Sequence, residues 1–100
     1  KQCRNLRVLD LVDNKLNQVD LSPLVNCPNL ERLTLHVNCL TQIDLSPLKH
    51  CRSLIYLTLS KNKLKEIDLL PLSGNRKLRF LTVDEDIKLI ADKQWRQRFK

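Results

Sequence analysis

Every 24 residues this chain repeats itself, and that regularity restricts its fold more than any other feature. Leu6, Leu30, Leu54 and Leu78 form one column, Leu9, Leu33, Leu57 and Leu81 a second, and Leu11, Leu35, Leu59 and Val83 a third. Asn14, Asn38 and Asn62 follow in step, with Asp86 in the fourth slot, and then come Leu16, Leu40 and Leu64. Val19, Ile43 and Ile67 precede the blocks DLSPL, DLSPL and DLLPL, and Cys3, Cys27 and Cys51 complete the unit. A period of this length, held in register over so many columns, marks a repeat protein. No unit can bury its apolar face alone, so the units must stack.

Each unit has a physical reading. Leu33-Thr34-Leu35 is a short alternating strand, with inward leucines flanking an outward residue. The Asn at the ninth place suits a tight turn and can satisfy backbone groups there. Ser22-Pro23 and Ser46-Pro47 predict a helix start, a hydroxyl N-cap followed by Pro at the first helical position. One block has Leu70 instead of the Ser and keeps only Pro71. The helical piece can last barely two turns before the next strand.

The pattern L-x-x-L-x-L-x-x-N-x-L, in four in-register copies from Leu6 to about Asp86, resembles the leucine-rich-repeat motif. The resemblance implies an α/β fold, a leucine-rich-repeat solenoid. Such a solenoid is a right-handed curved stack with parallel strands on its concave face and short helices or turns on its convex face. It further implies a non-catalytic binding scaffold, without naming a ligand. The expected organisation is four 24-residue repeats with a partial repeat at each end over residues 1–86, then a C-terminal helical cap over residues 87–100. In that cap Asp92 would be the N-cap, and Trp95 and Phe99, four apart, would share a helical face and seal the last coil. Cys3 already occupies the 22nd place of a unit, so the chain is expected to open inside a repeat. An uncapped first coil, with Leu6, Leu9 and Leu11 uncovered, predicts end-to-end self-association.

The reactive side chains point to structure rather than chemistry. Adjacent coils lie about 4.8 Å apart, so the cysteine column brings sulfurs close, but stacked side chains point the same way and suit a disulfide poorly. Small buried thiols are the better reading, which implies a reducing, cytoplasmic setting. Cys39 is the thiol expected at the surface. His36 with Cys39, or His50 with Cys51, gives two ligands on different faces, short of a metal site. The Asp20, Asp44 and Asp68 column is expected to cap the turns into the helical segments. No nucleophile–base pair, Gly-rich phosphate loop or paired acids appear, so neither an enzyme nor a cofactor is expected. Composition agrees with a folded domain, being 42% apolar with one Gly. No apolar run reaches the roughly 18 residues of a membrane span, so no membrane partner is expected.

Alternation places the third, fifth, seventh and eighth positions of each unit outward on the concave face. The resulting column Val8, Arg32, Tyr56, Phe80 is unusual, because Tyr and Arg are typical interface anchors and strands rarely need them outside. Cross-strand stacking of Tyr56 on Phe80 is the competing explanation. Another protein is therefore the expected partner, bound by Arg32, Thr34, His36, Tyr56, Thr58, Lys61, Phe80 and Thr82. The net charge of +7 gathers elsewhere, five of the cations lying in residues 87–100. Lys15, Lys63 and Lys65 follow the ascending turn edge. That distribution supplies an alternative, nucleic acid or a ribonucleoprotein held by this basic edge and the C-terminal tail, with a further basic patch around Arg76, Lys77, Arg79 and the tail. A second alternative is an architectural segment of a larger protein.

Overall fold

The computed structural model describes residues 3–92. Four short strands, β1 (Val8–Asp10), β2 (Arg32–Thr34), β3 (Tyr56–Thr58) and β5 (Phe80–Thr82), form one parallel sheet in that order. Their register steps by 24 residues, with Leu9 beside Leu33, Leu33 beside Leu57 and Leu57 beside Leu81. Opposite them lie three 3-10 segments, η1 (Ser22–Asn26), η2 (Ser46–His50) and η3 (Leu70–Leu72). The core is the filling between these two walls. Leu33, Leu35, Leu57 and Leu59 from the strand side and Leu48 and Leu72 from the 3-10 side have no exposed surface. In the first coil Leu6, Leu9, Leu11 and Leu16 are only partly buried, since they receive cover from one side.

The asparagine column does more than turn the chain. Asn38 Nδ2 donates to Leu11 O at 2.9 Å and Leu35 O at 3.0 Å, while its Oδ1 accepts from Asn14 N and Leu16 N, both at 3.0 Å. One side chain thus ties its own turn to the preceding coil. Asn62 does the same one coil on, donating to Leu35 O and Leu59 O and accepting from Leu40 N. The side chain of Asp86, in the fourth slot, has no N–H to donate, and the ladder stops with it. The cysteine column, by contrast, has a fourth member that periodicity in sulfur conceals. Asn75 stands 24 residues after Cys51, fully buried, and its Nδ2 donates to Leu48 O at 3.1 Å and Cys51 O at 3.0 Å.

Helix entry differs in detail from the expectation. The residues before the 3-10 segments are Leu21, Leu45 and Leu69, none with a side-chain cap, and Ser22 and Ser46 are already inside. The capping acceptor is the Asp two residues earlier: Asp20 and Asp44 Oδ1 accept from Ser22 N and Ser46 N at 2.9 Å, and Asp68 from Leu70 N at 3.0 Å. A carboxylate is the stronger acceptor, and it outcompetes the hydroxyl, which itself donates to Asp20. These bonds, from the Ser side chains first and the backbone second, hold Asp20 and Asp44 below the usual carboxylate range. A carboxylate with a lowered folded pKa contributes stability that is complete above the unfolded value near 3.9 and disappears as pH falls through the folded pKa. Acid unfolding of the Asp20→Asn/Asp44→Asn variant, followed by circular dichroism, should therefore depend less on pH below about 4 than that of the parent. Identical profiles would remove the aspartates from the acid transition.

The last coil breaks phase. Strand β4 (Glu66–Asp68) pairs in parallel with β6 (Lys88–Ile90), and Ile67 faces Leu89, a step of 22 residues rather than 24. A 24-residue step would have put Ala91 beside Ile67. The slip sets the larger Leu89, rather than Ala91, beside Ile67, and because the shift is an even number of residues Lys88 stays on the exposed face. It also corrects the domain reading, because the segment before Asp92, assigned to a helical cap over residues 87–100, is a strand. The helix expected after Asp92, with Trp95 and Phe99, lies outside the described residues.

At the strand exits Asp13, Val37 and Lys61 all take left-handed backbone, with φ of 58°, 59° and 58°. The conformation aims each N–H at the next coil, Val37 N reaching Ser60 O at 3.2 Å. Val37 is the misfit, because a β-branched residue is rare in this region while Asn is enriched there. Val37→Asn should stabilise the domain by about 1 kcal/mol, seen as a higher urea midpoint at constant m. An unchanged midpoint would show that Val37 packing offsets the backbone strain.

Candidate protein-interaction face

The outward side chains of the main sheet stand in rows that follow its register. Val8, Arg32, Tyr56 and Phe80 are direct neighbours across β1, β2, β3 and β5. The Tyr56 and Phe80 rings stack with centroids 4.4 Å apart and planes 11° from parallel. The Arg32 guanidinium carbon lies 4.3 Å from the Tyr56 ring centroid. Tyr56 is therefore held between a cation and a second ring, contacts worth about 0.5–1.5 kcal/mol for the ring pair and about 0.5–1 kcal/mol for an exposed cation–π pair. Phe80 remains 47% exposed and Val8 54%.

The next row contains Asp10, Thr34, Thr58 and Thr82. Thr34 Oγ1 donates to Asp10 Oδ1 at 2.7 Å, and Val12 N donates to the same oxygen at 3.1 Å. The Thr34 bond, then the Val12 bond, lower the Asp10 pKa, and nearby His36 and Arg32 add to the effect. His36 Nδ1 lies 3.2 Å from Thr58 Oγ1. Arg32, Tyr56 and Phe80 are thus gathered into a stack, and Thr34, His36 and Thr58 into a polar row beside it, with Thr82 exposed at its end. Lys61 stands apart. It lies beyond the strand in the left-handed turn, where its backbone N–H donates to both Asp84 carboxylate oxygens at 2.9 and 3.1 Å. Asp10 and Asp84 organise this face as much as the residues expected there. Their places in the 24-residue columns were the available signal.

The other candidate chemistry resolves into packing. Cys27 and Cys51 are buried free thiols and Cys3 is exposed. Burial pushes the Cys51 thiol up to about 11, with Cys27 contributing, and burial followed by the neighbouring Cys3 raises Cys27. Among the described residues no three His, Cys, Asp or Glu side chains gather as a metal site would require, and no helix is long and apolar enough to cross a membrane. A groove of about 310 Å³ between the first two coils is lined by Gln18, Val19, Gln42, Ile43 and Asp44, on the segments that lead into the 3-10 elements.

The stacked parallel strands, 3-10 backs and asparagine ladder coincide with a match to the family model "Leucine rich repeat" over residues 4–64. The chain belongs to the leucine-rich-repeat family. An internalin from Listeria monocytogenes, known from its crystal structure, shares this domain's fold with a TM-score of 0.64 and 30% sequence identity. The similarity covers 86% of this chain and 23% of the internalin, so the leucine-rich-repeat chain spans less than a quarter of that protein. No curated protein matches the chain. Leucine-rich-repeat domains generally mediate protein–protein interaction and are typically non-catalytic.

Proposed function

We propose that this domain binds a partner protein through its concave strand face, with Phe80, Tyr56 and Arg32 as the central contacts. The observation that carries the proposal is the stack itself. Three large side chains of the kinds most enriched among interface anchors are aligned on the outer side of a sheet whose stability rests on the leucines behind it. Tyr56 is already fixed between its neighbours, so little side-chain freedom remains to be lost on binding. The polar row through Thr34, His36 and Thr58 and the carboxylates of Asp10 and Asp84 would frame the apolar centre, as an interface rim does. Four free thiols fit a reducing compartment as the place of action.

Capture from lysate with the parent domain and with Phe80→Ala tests the proposal. Phe80 is half-exposed and sits at the end of the stack, so the variant should lose about 1 kcal/mol of stability or less while partner affinity falls at least about tenfold. Equal capture of the same proteins by both forms would remove the concave stack from the binding site.

A further inference from the structure

The charge of the molecule is sorted by face in a way that the +7 total hides. The flank where the chain runs from each 3-10 segment into the next concave strand carries Arg4 and Arg7 in the first coil. It carries Lys49, in the last turn of η2, and Arg52 before β3, and Arg76, Lys77 and Arg79 before β5. All seven are exposed. The single acidic residue on this flank is Glu31, whose Oε2 lies 3.1 Å from Arg7 Nη1. Everywhere else among residues 3–92, ten carboxylates stand against six cations. Among the described residues, the flank is strongly positive and the remaining surface is negative.

The flank is built on a fixed backbone frame. Residues at its edge stay in register from coil to coil, with Glu31 N donating to Arg7 O at 2.8 Å, Ile55 N to Glu31 O at 2.7 Å and Arg79 N to Ile55 O at 3.0 Å. Asn75, buried between coils, donates to the carbonyls of Leu48 and Cys51 and thereby sets the backbone of Arg76 against that of Arg52. Arg52 and Arg76 occupy the same place in successive coils, about 4.8 Å apart at the backbone. Among the described residues, no Asp or Glu lies in the sequence stretches 49–52 and 76–79 that carry Lys49, Arg52, Arg76, Lys77 and Arg79.

We propose that these five residues form a docking strip for an extended acidic segment of a partner protein, rich in Asp and Glu. Two observations favour such a segment over nucleic acid. The strip is narrow: Asp84 and Glu85 lie only five or six residues beyond Arg79 along the same turn, about 16–20 Å of extended chain. A duplex seated on the arginines would carry further phosphates onto those carboxylates, whereas a single extended peptide would not. Tyr56 and Phe80 are stacked on the concave face, so among the described residues the flank offers no aromatic platform on which unpaired bases could stack.

Fluorescence anisotropy of a labelled deca-glutamate peptide, a 20-nucleotide oligo-dT and a 20-base-pair duplex would decide this, using the whole chain at low and moderate salt. The peptide should bind, at least about tenfold more weakly to Arg52→Glu/Arg76→Glu, and equally well to Tyr56→Ala/Phe80→Ala. Arg52→Gln/Arg76→Gln, which neutralises without reversing charge, should fall between. Absence of peptide binding, or equal binding by the charge-reversed form, would overturn the proposal. So would tighter binding of either nucleic acid, since that would make the flank a phosphate surface. Because the concave variant retains the strip, failure of this proposal is distinct from failure of the concave one.

Discussion

Truncating Leu57 to Ala should destabilise this domain by about 3–5 kcal/mol. Leu57 lies at the centre of β3 with neighbouring strands on both sides, and none of its surface is exposed. Removing its side chain leaves a cavity that the stacked coils cannot close, because the hydrogen-bonded register fixes their spacing. A domain of this size has only about 5–15 kcal/mol in hand, so the variant should sit near the unfolding threshold. Leu9, the same place in the first coil, is partly exposed and should cost about half as much on truncation to Ala. Urea unfolding of the two variants checks the gradient, and equal losses would contradict a core whose burial rises from the first coil inward.

The second large effect is expected at Asn38. Its side chain serves four backbone groups in two coils, and Asn38→Ala leaves Leu11 O, Leu35 O, Asn14 N and Leu16 N without it. At about 0.5–1.5 kcal/mol net for each bond, with water reaching the more exposed ends, the loss should be about 2–4 kcal/mol. Asn38→Asp is the informative companion. It keeps the acceptor, loses both donors and sets a carboxylate against two carbonyls, so it should be no better than Ala. Amide exchange gives the specific readout: the Asn14 and Leu16 amides should lose protection in Asn38→Ala while Leu59, bonded to Thr82 O at 2.8 Å, keeps it. Uniform loss of protection across the chain would mean that Asn38 acts through global stability alone.

Both effects follow from columns visible in the sequence, and the repeat settles most of the fold. A strict 24-residue step with L-x-L strands leaves one way to bury the leucines, which is to stack them in parallel register. The Asp column was legible too, since like charges on neighbouring coils need local donors. Which residue capped the 3-10 segment was not, because Ser and Asp are both competent and only their placement relative to the backbone N–H shows that the carboxylate prevails. Asn75 was hidden by its difference from the three cysteines above it.

The concave site was legible as a set of columns but not as a structure. Register alone brings Arg32, Tyr56 and Phe80 side by side. That the guanidinium lies over the ring, and that Tyr56 is covered on both faces, depends on side-chain rotation that no spacing encodes. Lys61 shows the converse, since alternation places it outward but the left-handed turn carries it past the strand. What the sequence determined by itself is therefore the repeating part: strand, turn, back and the leucines between them, all local or strictly periodic. The tertiary structure alone decided the two-residue slip that pairs Ile67 with Leu89, because register there answers to which apolar side chain reaches the core. It also decided the gathering of cations on one flank, because residues 49–52 and 76–79 become neighbours only when the coils stack.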